Sequence, residues 1–329
     1  MRRLTFAFVA AVSTVAITQI ASAADMARPA YKAPPPVPQD WSGFYVGLEG
    51  GYAWGRQNTD SIAAGDQLSA VFTSEGLTPL QLASPIFFPD VALPSTKQKG
   101  WLFGGFFGAQ KQWGSWVLGI EGDIDGANIK GSGLSTASSV VNELGVAVPS
   151  APGPFTVRCP GGAACLTLNH DLSIDSKIDM LASLRGKVGW SVAPNWLIYG
   201  TGGAAFAHVE NTVTSTQSFA VNPRLTSVVI ELVPGTPIGT FALTPGNAPS
   251  PLNASGGTTM FGWAAGGGVD WKVPLDSGSA FVFGVQYLHY GFPEQTITLS
   301  NNGGGSFTFK AKESVDTVKG RISYLFSIH

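Results

Sequence analysis

Bulky apolar residues at every second position, alternating with glycine, small residues and isolated charges, recur along this chain in stretches of about ten residues. In WSGFYVGLEGGYAWG, residues 41–55, Phe44, Val46, Leu48, Tyr52 and Trp54 share one strand face. Gly43, Tyr45, Gly47, Glu49, Gly51 and Ala53 share the other. Glycine is a poor strand former unless another backbone or side chain must come close, so the second face is crowded. Such a strand needs two different media, an oily one and a cramped, partly polar one.

The start of the chain bounds where those media are found. Met1-Arg2-Arg3 is a basic lead, Leu4 to Ile20 is largely apolar, and Ala21-Ser22-Ala23 is a small-x-small cleavage site, so residues 1–23 read as a secretory signal peptide. Residues 24–40, ADMARPAYKAPPPVPQD, are proline-rich without an apolar period and read as a periplasmic linker. Residues 41–329 carry the alternating stretches. Charged residues make up 12% of the chain, about half the usual share, yet no later segment supplies the roughly 20 apolar residues of a membrane helix. The membrane solution left to an exported, charge-poor chain is a closed β-barrel, whose strands need be apolar on one side only. A net charge of −2 offers no basic footprint for nucleic acid.

Eight alternating stretches follow from residue 41, and the predicted fold is an all-β, eight-stranded antiparallel up-and-down transmembrane barrel. GWLFGGFFGAQ places Trp101, Phe103, Phe107 and Ala109 on one face; WVLGIEGDIDG sets Trp116, Leu118, Ile120 and Ile124 against Glu121, Asp123 and Asp125. KIDMLASLRGKVGW sets Ile178, Met180, Ala182, Leu184, Val188 and Trp190 against Arg185 and Lys187. Strand five, Trp196 to Glu210, groups Leu197, Tyr199, Ala205, Ala207 and Val209 as the oily face and leaves Trp196, Ile198, Phe206, His208 and Glu210 on the polar side. FGWAAGGGVDW, AFVFGVQYLHY and DTVKGRISYLF complete the set. Their connections alternate long and short, which places short turns in the periplasm and four long loops outside the cell. One of these loops spans about residues 127–173, and the third holds LTSVVIELV, 225–233, which pairs either in the barrel's own hairpin or with another chain's edge.

With the oily face outward, Trp41, Trp113, Trp116, Trp190, Trp196 and Trp271 gather at the periplasmic end as an interfacial girdle. The interior then holds Glu49, Glu121, Asp123, Asp125, Glu210 and Asp270 with Arg185, Lys187, Lys319 and Arg321, which read as an ion-pair network, since an unpaired buried charge is costly. An eight-stranded barrel is about wide enough to be filled by its own side chains; a narrow solute channel is the alternative. A soluble ligand-binding barrel would reverse the faces, but its exterior would then be glycine-rich and poor in charge. Cys159 and Cys165, in RCPGGAAC, read as a local disulfide in an oxidising compartment. No serine–histidine pair or metal-ligand spacing stands out, and His208 with Glu210 reads as part of the interior network, so neither catalysis, nor a metal, nor a cofactor is predicted.

The stretches WSGFYVGLEGGYAWG, VLGIEGDID, LRGKVGW, YGTGGAAFA, GWAAGGGVDW, QYLHYGF and VKGRISYLF together resemble the small outer-membrane barrels of the opacity-protein and outer-membrane-protein-A N-terminal type. The resemblance runs from Trp41 to Phe326 and leaves out the long loops. It implies porin-like surface proteins of double-membraned bacteria, embedded in outer-membrane lipid; the long loops, carried on a rigid scaffold, either bind host, phage or neighbouring-barrel surfaces or merely shield the membrane. It also implies that barrel-insertion machinery reads aromatics near the C-terminus, here Tyr324 and Phe326, although Ser327, Ile328 and His329 run past them.

Overall fold

Eight long strands form one closed ring, with every neighbouring pair antiparallel. They are β1 (Gly43–Asp60), β2 (Thr96–Trp113), β3 (Trp116–Val141), β4 (Leu166–Ala193), β5 (Trp196–Val221), β6 (Leu252–Pro274), β7 (Ala280–Asn301) and β8 (Ser306–Ser327). The ring order is β1-β8-β7-β6-β5-β4-β3-β2, closed where Gly43 faces Ser327 and Asp60 faces Lys310. Closure removes the free edges that an open sheet would present. This computed structural model describes residues 40–327 apart from 61, 64–66, 69, 74–79, 83–85, 148–154, 159–164, 223–227, 234–235, 246–250, 276–277 and 302–305. The predicted signal peptide and residues 24–39 of the linker lie outside the described residues.

The short connections β2–β3, β4–β5 and β6–β7 fall at one end of the barrel. Gly114, with φ of 60°, supplies the left-handed residue that the β2–β3 hairpin turn requires, and Gly278, with φ of 79°, does so between β6 and β7. At the opposite end the strands run much further than a membrane requires. Strands β3, β4 and β5 have 26, 28 and 26 residues, against about 10 for a tilted crossing. The predicted loop at residues 127–173 is therefore largely strand, with β3 continuing to Val141 and β4 beginning at Leu166. The predicted fourth loop is short as well, because Ser300 of β7 already faces Ser306 of β8.

These extensions have the opposite polarity to the part below them. Near the short turns, apolar side chains such as Phe103, Ile124 and Val285 point outward and are more than half exposed, while Glu121, Arg185 and Lys319 point inward and are buried. Further up, the outer face turns polar at Arg56, Lys99, Lys130, Lys177, His208, Thr259 and Asp316. There the apolar residues point inward, and Leu172, Ile174, Val213, Ile297, Leu299 and Phe309 form one buried cluster. Alternation by two holds on either side of register shifts at Ile178/Met180 in β4 and Phe292/Gln295 in β7; what changes is which side needs to be greasy. In the lower part hydrocarbon can lie outside, and in the upper part water lies outside and the apolar side chains must be buried together.

Three of the connections at this upper end contribute to a separate six-stranded sheet. Its order is Phe155–Arg158, Glu143–Ala147, Leu80–Leu82, Ala70–Thr73, Thr236–Pro245, Val228–Val233. Within LTSVVIELV, Val228–Val233 thus forms a local hairpin with Thr236–Pro245, which in turn pairs with Ala70–Thr73 of the first connection; residues 225–227 lie outside the described residues.

Candidate functional site

The outer wall beside the short turns is ringed by indoles. Trp113, Trp116, Trp190, Trp196 and Trp271 are 43–54% exposed, and the strand register sets Trp116 opposite both Trp113 and Trp190, and Trp196 opposite Trp271. The Trp116 and Trp190 rings meet edge-on at 4.7 Å. Tyr324 and Phe326 also point outward at this end, 4.7 Å apart. Trp41 departs from the predicted girdle, since it is fully buried at the mouth of the barrel. Its ring lies 4.7 Å from the Lys272 ammonium, and its carbonyl accepts a hydrogen bond of 2.8 Å from Gln110 Nε2. The reason is parity: Trp41 falls in phase with inward Tyr45, not with outward Phe44.

Above this aromatic floor sits the ionic part of the lumen. Lys319 Nζ lies 2.7 Å from Glu49 Oε1 and 3.0 Å from Asp123 Oδ2, and also contacts Asp125. Arg321 bridges Glu49 at 3.0 Å and Glu121 at 2.7 Å and donates to the Tyr199 hydroxyl at 2.8 Å. Arg185 bridges Glu121 at 3.0 Å and Asp123 at 3.2 Å, and Lys187 pairs with Asp270 at 2.9 Å. Nine of the ten residues predicted for the interior are therefore in contact there: five carboxylates and four cations, all buried. Neutral partners complete the packing, with Tyr45 donating to Glu121 at 2.9 Å and Gln286 to Tyr199 at 3.1 Å. Tyr45 faces Gly108 and Tyr199 faces Gly268 across the sheet. A methyl group on either glycine would come within 2.5 Å of the tyrosine hydroxyl. The glycines of the crowded face make room for these rings.

Glu210 is the tenth residue, and it is not in the lumen. Its side chain is 54% exposed on the outer wall, 3.4 Å from Lys177 Nζ. The phase of β5 is opposite to the sequence assignment: Leu197, Tyr199, Ala205, Ala207 and Val209 are buried inside, while Trp196, Ile198 and Phe206 face out. Ile178 is likewise buried inside, because a register shift at Asp179 changes the phase of β4 between Ile178 and Met180. The β5 error comes from choosing the wrong one of two apolar phases, and the Ile178 error from carrying one phase across the register shift in β4. Cys165 is buried; Cys159, and with it the predicted disulfide, lies outside the described residues.

Higher in the barrel the filling becomes apolar, then polar, then apolar again. Leu102, Ile129, Ile178, Leu181, Met260 and Phe292 belong to the first apolar layer. Over it lies a polar layer, in which Gln98 Nε2 donates to Ser176 Oγ at 3.0 Å and to Glu313 Oε2 at 3.4 Å, and Gln57 donates to Asn211 at 3.2 Å. Burial pushes the Glu313 carboxyl up to about 8, against the smaller opposing effect of the Gln98 hydrogen bond. Near the top, His170 contacts Ser215 Oγ and the Pro89 carbonyl, each at 2.8 Å. Sequence reading missed this serine–histidine contact, because 45 residues separate the two and only the β4–β5 register brings them together. His170 is fully buried and its second nitrogen faces a carbonyl, not a carboxylate, so it lacks both the access and the orienting acid of a hydrolytic triad. A lumen cavity lined by Trp41, Tyr45, Glu121, Lys187, Asp270 and Arg321 has a volume of about 10 Å³, room for one water.

No family model matches the chain, and no curated protein matches it. Solved structures similar to it include Ail, the attachment invasion locus protein of Yersinia pestis, at 10% identity and a TM-score of 0.24, covering 85% of this chain and 99% of that one. The outer membrane protein OprG from Pseudomonas aeruginosa is similar at 11% identity and a TM-score of 0.28, covering 87% and 97%. The outer membrane protease OmpT from Escherichia coli is similar at 8% identity and a TM-score of 0.31, covering 88% and 97%. At those scores none of these likenesses bears on what this chain does. The eight-stranded closed barrel itself rests on the strand pairing.

Proposed function

We propose that this chain is an exported outer-membrane barrel with a plugged lumen, which serves as a rigid stem for a surface-displayed β-sheet and is neither a solute channel nor an enzyme. The observation that carries this reading is the polarity reversal along the strands. The lower outer wall exposes Phe107, Ile120, Leu184 and Phe261 to 57–66%, a band that water would not tolerate but hydrocarbon would. The tryptophan ring at its lower edge suits the membrane–water boundary, where indole keeps an apolar body and one polar N–H. The upper wall is polar outside and apolar inside, as in a soluble barrel.

Two features support a closed stem over a channel. The ionic layer is internally paired, and the apolar layer above it buries Leu102, Ile129, Met260 and Phe292, a filling across which a hydrated path would be costly. Display is supported by the extracellular sheet, which three connections build together on a rigid scaffold, the usual location for recognition. The protein refolded into a planar lipid bilayer is expected to leave the membrane insulating across the accessible voltage range. Stable, reproducible unitary conductance would overturn the plugged lumen and favour the narrow channel.

A further inference from the structure

Among the described residues, the outer wall carries a group of ligand-type side chains that the stem does not need. Asp179, His208 and Glu210 come from β4 and β5, and their donor atoms all lie within 4.8 Å of one another. We propose that they form a binding site for a first-row divalent metal ion of the Zn²⁺ type, on the outside of the barrel just above the apolar belt.

Four independent features converge on these atoms. First, β4 has one more residue than β5 at this level: Ile178 pairs with Val209 and Met180 with His208, which leaves Asp179 as the extra residue of a bulge. A bulge re-aims a side chain out of the regular alternation, and here it brings a carboxylate beside His208 and Glu210. Second, Asp179 Oδ1 is shielded from solvent and has no hydrogen-bond partner among the described residues. An anionic oxygen left so is destabilised, and a cation would satisfy it. Third, His208 Nδ1 lies 3.2 Å from Thr259 Oγ1. If Nδ1 carries the proton and donates to that hydroxyl, the lone pair is on Nε2, the outer-sphere arrangement that orients metal-binding histidines. Fourth, the residue facing Glu210 on β6 is Gly257, where a methyl group would come within 2.9 Å of His208 Nε2 and 3.9 Å of Glu210 Cγ. The gap is where the imidazole rests.

One nitrogen and two carboxylates favour zinc and its neighbours over calcium or magnesium, which prefer all-oxygen shells of six or more ligands. Tetrahedral bonds of about 2.0–2.1 Å need donors roughly 3.3 Å apart. Closing from 4.8 Å asks for side-chain rotation in one exposed group, Glu210, and two half-buried ones, Asp179 and His208, on the outer wall rather than in the core. The competitor is Lys177, 3.4 Å from Glu210, an exposed pair of little strength that a divalent ion can displace.

The test titrates Co²⁺ into the detergent-refolded, tag-free barrel and follows its ligand-field absorption, with Zn²⁺ as displacing ion. One equivalent of Co²⁺ should saturate the signal, Zn²⁺ should abolish it, and the same concentration of Ca²⁺ or Mg²⁺ should not. His208→Gln and Asp179→Asn should each weaken binding by more than about tenfold, while Lys177→Met should leave it unchanged or tighter. Heat-modifiable gel mobility checks that each variant remains a barrel; should one fail, Gly257→Ala, which crowds the imidazole, must show the same loss. No ligand-field signal from the folded protein, or a signal indifferent to these substitutions, would overturn the site. The outcome does not depend on whether the lumen conducts.

Discussion

Lys319 is the residue on which the lumen's charge balance turns. Its ammonium is buried and touches three carboxylates, so Lys319→Met leaves Glu49, Asp123 and Asp125 close together with no cation among them except the flanking arginines. Removing one partner of a buried ion pair costs about 3–5 kcal/mol, and three like charges sharing one site place this case at the upper end. Urea unfolding of the refolded barrel should show that loss. Lys310→Met, which breaks an exposed pair with Glu294 at 3.2 Å, should cost less than about 1 kcal/mol. Equal effects from the two substitutions would mean that the interior charges are screened or neutralised. The members of this network could be read from the sequence because carboxylates and cations kept the phase opposite to the bulky apolar residues in five of the strands. Glu210 could not, because its strand offers two competing oily phases and the register shift at Asp179 leaves no mark in composition.

Within a pair of strands, the glycines set how close a large ring can come. Gly108→Val would drive a branched side chain against the Tyr45 ring and separate its hydroxyl from Glu121. Overpacking of this kind costs about 1–3 kcal/mol, whereas Gly114→Asn, in the open turn where nothing lies within 4 Å, should be nearly neutral because asparagine tolerates a left-handed φ. Comparing the two in the same unfolding assay separates crowding from backbone freedom; similar losses would contradict the packing account. The strand extensions make a prediction about pH. Unfolded, the Glu313 carboxyl loses its proton near 4.5; folded, it keeps the proton up to about 8. The native state therefore binds more protons between those values, so stability that is full below pH 4.5 falls as pH rises and is lost above about 8, by at most about 5 kcal/mol. Glu313→Gln should flatten the difference in urea stability between pH 5 and pH 9 and raise stability at pH 9. An unchanged slope would show that Glu313 titrates normally. The extensions themselves were hidden in the sequence, since GSGLSTASSV in β3 has neither an oily face nor a turn, and reads as loop until its partner strand is known.

On the scale of the whole molecule, one sheet changes medium part-way along its length. The number of strands, the closed antiparallel ring, the short-turn end and, in every strand but β5, the identity of the lower outward face were legible, because hydrocarbon demands bulky residues at every second position and tolerates few exceptions. The upper half was not, because its apolar residues obey the same period with the opposite sense, so Val209 and Ile178 looked like lipid-facing residues while being core. The measurement that tests this reversal most directly is a spin-label accessibility scan along β5 in lipid bilayers, from position 196 to 216, in a Cys159→Ser, Cys165→Ser background. Even positions up to 206 should be accessible to oxygen dissolved in the hydrocarbon, even positions from 208 upward to a water-soluble relaxation agent, and odd positions to neither. Odd-numbered sites open to water along the strand, or even-numbered sites that never leave the lipid, would contradict a filled barrel whose polarity inverts above the membrane.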